Sequence, residues 1–142
     1  MALNGFYARH NPISPGAPRI RARLHLSQAV SGVGPDVEVV FLIDTGADST
    51  SLLSPDITRL GIDFDAIAAP VEYANGVGGQ ARSKEVNATV SLSDEVGEFR
   101  HFEVRLRLLP DTGGFPSLLG RDVLNQCRCT FDAVNGDVIL EP

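Results

Sequence analysis

Two carboxylates, Asp44 and Asp48, lie four residues apart in the segment 44–48, which reads Asp-Thr-Gly-Ala-Asp. The segment directly follows the apolar run 39–43, so Asp44 is expected where a buried strand leaves the core. A carboxylate at the end of a buried strand is costly unless hydrogen bonds or a function hold it there. Three roles are open for these two residues: capping their own turn, binding a hard cation, or acid–base chemistry.

A cation site would need further oxygen ligands, and Asp36 or Asp122 could supply them. Loops that bind Ca²⁺ commonly alternate acidic residues before a glycine, but the chain contains no Asp-x-Asp-x-Asp-Gly loop. The sequence therefore favours a site with no metal ion, and no other cofactor is indicated.

Two more stretches could contribute to a site. Segment 73–80, Tyr-Ala-Asn-Gly-Val-Gly-Gly-Gln, is a strong hairpin signal, and its glycines would let the tip lie close against another backbone. A plain solvent-exposed hairpin is the alternative, and the absence of a phosphate-binding glycine motif before a helix disfavours a phosphate site. Segment 118–122, Leu-Leu-Gly-Arg-Asp, predicts the end of a buried strand followed by a short helix that begins at Arg121.

Short strands dominate the remaining pattern. Apolar residues alternate over 19–26, 86–92 and 102–108, and the first of these should pair with 37–43 as an antiparallel hairpin across the turn 31–36. A last hairpin is expected around Asn135-Gly136. A helical turn should run from Ser54, as N-cap, to near Gly61.

The fold class that follows is all-β, in agreement with 14 Gly and nine Pro residues in the chain. Residues 1–18 are proline-rich and show no periodic pattern, so they predict an extended N-terminal arm. Residues 19–142 predict one domain.

Composition excludes several classes of protein. The hydrophobic fraction of 43% is that of a globular domain, and the net charge of −6 without a basic run argues against nucleic acid as a partner. No apolar stretch suits a membrane helix or a secretory signal, so a cytoplasmic protein with no membrane contact is expected. Cys127 and Cys129 should be buried free thiols, because a disulfide across one residue would be strained.

The segments 44–48, 73–80 and 118–122, in this order, resemble the motifs of the retroviral-type aspartic proteases, the retropepsin-like family. The similarity covers roughly residues 18–131. Asp-Thr-Gly alone recurs by chance, whereas its combination with a glycine-rich hairpin and Leu-Leu-Gly-Arg-Asp is specific. The resemblance implies a retropepsin-like acid protease fold, with a closed small β-barrel subunit, a flap hairpin and one short C-terminal helix.

The resemblance also implies an aspartic endopeptidase that acts as a homodimer on a polypeptide substrate. Each subunit of such an enzyme supplies one Asp-Thr-Gly motif, so Asp44 and its copy would be the catalytic residues at a two-fold axis. Two carboxylates about 3 Å apart cannot both ionise cheaply and therefore share one proton, as is general for aspartic proteases. One would act as base and the other as acid on a water that attacks the peptide carbonyl.

The same resemblance implies supporting roles for neighbouring residues. Thr45 would brace the paired loops across the dimer axis, and Gly46 would let the substrate backbone approach. Asp48 would accept hydrogen bonds from substrate and pair with Arg121, whose planar fork suits a carboxylate. The remaining substrate-binding residues would be Ala47, Leu118 and the flap residues Gly76, Val77 and Gly78.

The chain also differs from viral members of the family. It has a proline-rich N-terminal arm, a longer polar stretch after the flap, and a hairpin at 131–140, so the resemblance leaves the dimer interface open. An alternative of another class is a binding or assembly module that keeps the fold with little or no proteolysis. Both hypotheses need Gly46 and Arg121, and they differ in whether Asp44 performs chemistry.

The residue at position 47 leads to a prediction about pH. A Ser or Thr there could donate a hydrogen bond towards the catalytic carboxylates and favour their charged form, which alanine cannot do. We therefore expect a pH–rate profile for peptide cleavage with an only mildly acidic optimum. A rate that peaks sharply below about pH 3, well under the ordinary pKa of an Asp side chain, would contradict this.

Overall fold

The computed structural model describes residues 1–27, 30, 36–76 and 78–142. Within these residues the chain is mostly strand, which confirms the all-β prediction. Two α-helices, α1 (Ser54–Arg59) and α2 (Arg121–Leu124), and a 3₁₀ helix at Phe64–Ala66 interrupt the strands. The strands are β1 (Leu3–Asn4), β2 (Phe6–Ala8), β3 (Ala17–Leu26), β4 (Asp36–Ile43), β5 (Ser51–Leu53), β6 (Glu72–Gly76), β7 (Gly79–Ser93), β8 (Phe99–Leu109), β9 (Leu118–Leu119), β10 (Arg128–Asp132) and β11 (Asp137–Glu141).

Six strands close into a small barrel, as predicted. Around the ring, β3 pairs with β4, β4 with β9, β9 with β5, β5 with β8, and β8 with β7. The pairing of β7 with β3 then joins the two ends of the row. The pairs β4–β9 and β5–β8 are parallel and the others antiparallel. Closure leaves few open strand edges at which another chain could add.

Alternate residues of each strand fill the barrel interior. Every residue that the alternation of β7 and β8 predicted to face inward is buried, and each large aliphatic side chain contributes about 1.5–3 kcal/mol on burial. These residues are Val86, Ala88, Val90, Leu92, Phe102, Val104, Leu106 and Leu108.

Strand β4 corrects one prediction. The run 39–43 was expected to be buried on both faces, but only Val39, Phe41 and Ile43 point into the core. Val40 and Leu42 are half-buried on the outer face of the barrel. The continuous apolar run hid this difference, because β-branched and aliphatic residues suit a half-exposed strand as well as a buried one.

The N-terminal segment joins both sheets of the molecule. Strand β1 pairs with β11 in a three-stranded sheet with β10, and β2 pairs with β3 of the barrel. Leu3 is fully buried, and a Cβ on Gly5 would collide with the backbone oxygen of Arg19. Residues 3–8 of the predicted arm are therefore packed against the barrel and the C-terminal hairpin, whereas most of residues 9–15 are exposed.

The N-terminus of α1 also departs from expectation. Its N-cap residue is Leu53 rather than Ser54, and no side chain caps it. The Ser54 hydroxyl instead donates a hydrogen bond to the backbone oxygen of Gly113 at 2.8 Å, a long-range partner invisible in the local sequence. The end of the helix agrees with the prediction, since Gly61 follows it with a φ of 69°, a value that glycine adopts without strain.

The predicted hairpins form. Strands β3 and β4 pair antiparallel, while residues 31–35 of the turn between them lie outside the described part. Strands β10 and β11 pair antiparallel across a turn in which Gly136 has a φ of 77°. Cys127 and Cys129 are free but only half-buried, and burial raises the pKa of both thiols. No helix in the described part of the chain is long and apolar enough to span a membrane.

The buried position of Leu3 generates a prediction for the N-terminal segment. Leu3→Ala should lower the free energy of unfolding by about 2–5 kcal/mol, because it leaves a cavity under β11. Chemical denaturation would measure the change. The control is Ile13→Ala in the same segment, where the side chain is 94% exposed and the expected change is within about 0.5 kcal/mol. Equal stabilities for the two variants would show that the segment is not part of the folded core.

Candidate active site

Strand β4 delivers Asp44 to a tight turn that we call the Asp44 loop, residues 44–49. The backbone N–H of Asp44 donates to Leu119 O at 3.0 Å, so β9 fixes the start of the loop. The carboxylate Oδ1 of Asp44 accepts the N–H of Gly46 at 2.8 Å, and Ala47 N–H donates to Asp44 O at 3.2 Å. Asp44 thus caps its own turn through one oxygen, which orients the half-buried carboxylate.

A buried hydrogen-bond network connects the end of this loop to α2. Thr50 is fully buried, and its hydroxyl donates to Asp122 Oδ1 at 2.7 Å while accepting the N–H of Gly120 at 3.2 Å. Asp122 Oδ2 also accepts the N–H of Thr50 at 2.9 Å. A Cβ on Gly120 would lie 2.5 Å from the carbonyl carbon of Ser49, so only glycine allows this approach.

Arg121 holds the opposite side of the same loop. Its backbone N–H donates to Ala47 O at 2.9 Å, and its Nη1 donates to Thr45 O at 2.9 Å. Its Nη2 forms an ion pair with Asp48. Because both side chains of the pair are well exposed, the pair itself contributes at most about 1 kcal/mol to stability, and its main effect is to fix the shape of the loop.

Ser117 ties this region to α1. It is fully buried just before β9, and its hydroxyl donates to Asp56 Oδ2 at 2.6 Å. The same hydroxyl oxygen accepts the N–H of Leu53 at 3.0 Å. The short strands β5 and β9 are therefore joined by side chains as well as by their backbones.

A cleft of about 450 Å³ opens between the Asp44 loop and the hairpin of β6 and β7. Of the predicted site residues, those in the cleft lining are Gly46, Ala47, Asp48, Gly76, Gly78 and Leu118. Asp44 and Thr45 lie at the start of the same loop but do not line the cleft within one chain. Strands β6 and β7 pair up to Gly76 and Gly79, and Val77 between them lies outside the described residues.

Sequence reasoning missed the supporting roles of Thr50, Asp122 and Ser117. A buried threonine or serine carries no local signal that names its partner, and each of these bonds joins residues more than 60 positions apart. Asp122 was considered only as a possible cation ligand, but its carboxylate accepts hydrogen bonds from Thr50 and Val123. Within the described residues no group of three or more His, Cys, Asp or Glu side chains is placed to hold a metal ion.

Another ion pair borders the cleft on the hairpin side. Arg82 of β7 donates through Nε to Asp111 Oδ2 at 2.6 Å, and this hydrogen bond lowers the pKa of the Asp111 carboxyl. The contribution of the pair to stability is present above the ordinary pKa of an Asp side chain and is lost as the pH falls through the lowered value. Both groups are exposed, so the contribution is small.

The barrel, the Asp44 loop and the hairpin-covered cleft define a retropepsin-like fold. Residues 34–126 match the family model described as "gag-polyprotein putative aspartyl protease", and the chain belongs to this family of aspartyl proteases. No curated protein sequence matches the chain.

Solved structures that resemble the chain include two proteases. One is a retropepsin-like aspartic protease from Rickettsia conorii, with 20% sequence identity and a TM-score of 0.57 over 99% of this chain and 90% of that one. Another is EIAV protease in complex with the inhibitor HBY-793, with 20% identity and a TM-score of 0.47 over 84% of this chain and 93% of that one. The first of these similarities extends over almost the whole chain and supports the fold.

The buried network predicts a large effect of one isosteric substitution. Thr50→Val keeps the shape of the side chain but leaves the N–H of Gly120 without its partner and removes one of the two hydrogen bonds to Asp122 Oδ1, at a cost of about 1–3 kcal/mol in unfolding free energy. Denaturant titration would measure it. Thr130→Val on the exposed face of β10 is the matched control, with an expected change within about 0.5 kcal/mol. A loss below that level for Thr50→Val would refute a supporting role for the network.

Proposed function

We propose that the protein is an aspartic endopeptidase in which two copies of the chain form one active site. The observation that carries the proposal is the placement of Asp44. It sits on a turn held by β9 and Arg121, beside a cleft that a glycine-rich hairpin covers. The family match and the order of the motifs along the chain support this function.

The proposed chemistry needs two carboxylates and one water. Asp44 and its copy in the partner subunit share one proton, because two adjacent negative charges in a partly desolvated site are too costly. The ionised carboxylate takes a proton from the water as it attacks the peptide carbonyl, and the protonated one supplies a proton to the leaving nitrogen. No covalent intermediate and no metal ion are required.

The remaining residues of the site would bind and orient the substrate. Gly46 and Ala47 leave room for an extended peptide to lie against the Asp44 loop. Asp48, oriented by Arg121, would accept hydrogen bonds from the peptide main chain. Leu118 would contact a side chain of the peptide.

Two further parts of the chain complete the proposed site. The hairpin tip, with Gly76, Val77 and Gly78, would lie over the bound peptide and exclude water. Thr45 would brace the two Asp44 loops across the dimer axis.

The proposed catalytic role of Asp44 is tested by Asp44→Asn. We expect kcat/KM for cleavage of a peptide library to fall by about 10²- to 10⁴-fold, since the amide can be neither base nor acid. Asp137→Asn, on an exposed position of β11 outside the cleft, is the matched control and should cleave as the wild type does. Equal cleavage by the wild type and the Asp44→Asn variant would favour the binding-module hypothesis.

Mixing the two forms tests the shared site. When a fixed amount of wild-type chain is refolded with an excess of the Asp44→Asn variant, most dimers contain at most one Asp44 side chain. The cleavage rate should then fall steeply with the excess. A rate that depends only on the amount of wild-type chain would contradict a site built from two subunits.

A further inference from the structure

A positively charged side chain, that of Arg107, lines the cleft. Arg107 lies on β8 opposite Ser51 of β5, and its backbone N–H donates to Thr50 O at 3.1 Å. Because side chains alternate along a strand, Ser51 and Leu53 of β5 lie on the same face as Arg107 and Leu109 of β8. These side chains form a continuous part of the cleft surface. Leu53 and Leu109 make one end apolar, and Ser51 and Arg107 make the other end polar and positively charged.

The other ionisable groups of the cleft are already paired. Among the described lining residues these groups are Asp48 and Asp111. Asp48 forms its ion pair with Arg121, and Asp111 binds Arg82 with an N–O distance of 2.6 Å. Neither carboxylate forms an ion pair with Arg107, because each is paired with another arginine.

Arg107 is poorly satisfied by comparison. Its Nη2 lies 3.5 Å from Glu85 Oε1, whereas charge-assisted N–H···O bonds are normally about 2.7–2.9 Å long. The other oxygen of Glu85 faces Arg105 Nε at 3.7 Å, so one carboxylate is shared between two guanidinium groups. The Nε of Arg107 is buried without any acceptor in the described part of the chain.

These observations describe a binding position for an anion. A guanidinium group has five N–H donors in a planar fork and binds a carboxylate through two parallel hydrogen bonds. The Arg107 side chain is 30% exposed, so it is partly desolvated yet open to the cleft. Partial burial strengthens a charged hydrogen bond relative to one in bulk water.

We propose that Arg107 binds the side-chain carboxylate of a peptide substrate, so that a Glu or Asp is preferred at one position near the scissile bond. This specificity rests on the proposed peptidase function. The methylene groups of the substrate residue would pack against Leu53, Leu109 and Leu118, which line the same cleft. The net charge of −6 on the chain repels acidic peptides at long range, so a measured preference for Glu would require a local cation.

The test uses matched peptides that differ only in charge. Glu is compared with Gln, and Asp with Asn, at each position around the scissile bond in turn. For the wild type we expect kcat/KM at one position to be about ten- to a hundredfold higher for the acid than for its amide. The larger of the Glu and Asp ratios identifies the preferred acid. Ratios near one at every position would overturn the proposal.

Variants of Arg107 test whether this residue causes the preference for an acidic side chain. Arg107→Gln should bring the acid-to-amide ratio close to one, and Arg107→Lys, which keeps the charge but loses the fork, should give an intermediate ratio. Arg105→Gln is the matched control, because Arg105 faces the same Glu85 but does not line the cleft. It should leave the ratio unchanged. A ratio that survives Arg107→Gln would assign the preference to another residue.

A binding measurement separates this inference from the proposed function. Two uncleavable statine-type peptides, one with the acid and one with the amide, are titrated calorimetrically into the wild type and the Arg107→Gln variant. Tighter binding of the acid by the wild type alone supports the role of Arg107 even if no peptide is cleaved, in which case the peptidase function fails. Cleavage of peptides without any acid preference in rate or binding refutes the role of Arg107 and leaves the peptidase function standing.

Discussion

The close approach of segments 47–50 and 120–122 is the constraint on which the site depends. The barrel closes between β4 and β5 through β9, a strand of only two residues, so the backbone ladder there is short. Hydrogen bonds from Thr50 to Asp122 and from Gly120 to Thr50 supply what the ladder lacks. The same contact sets the position of the Asp44 loop.

This arrangement joins a firmly held loop to a hairpin that projects from the barrel. Among the described residues, strand β6 pairs with β7 and no other strand, and most residues of β6 are exposed. The base of the hairpin is anchored by Lys84, a buried cation whose Nζ donates to the backbone oxygens of Phe64 and Ile67 at 2.7 and 2.9 Å. Exposed residues along β6, together with a fixed base, are features that the proposed cover over a peptide would need.

The charges that line the cleft differ from what the net charge of −6 on the chain suggests. Two of its carboxylates are bound by arginines from neighbouring segments, and Arg107 has only a distant share of Glu85. The cleft therefore has neutralised carboxylates and one weakly paired cation, although the chain as a whole is negatively charged. A molecule in the cleft would interact mainly with the charges within a few ångströms, because salt screens charges beyond about 10 Å.

The amino-acid sequence by itself determined the strands from β3 onwards and the positions of the three motifs, but not β1 and β2. The alternation of apolar residues in β7 and β8 correctly predicted their buried faces, because a barrel wall buries one face of each strand. The glycines at the hairpin turns could be predicted because the backbone conformation they allow depends only on the local chain. Tertiary structure alone decided which face of β4 is buried, why Ser54 does not cap α1, and how Thr50 and Asp122 meet. It also brought Arg107 into the cleft, where the sequence shows only a polar residue between Leu106 and Leu108. These outcomes depend on partners distant along the chain, and a local pattern contains no information about the partner that packing will bring.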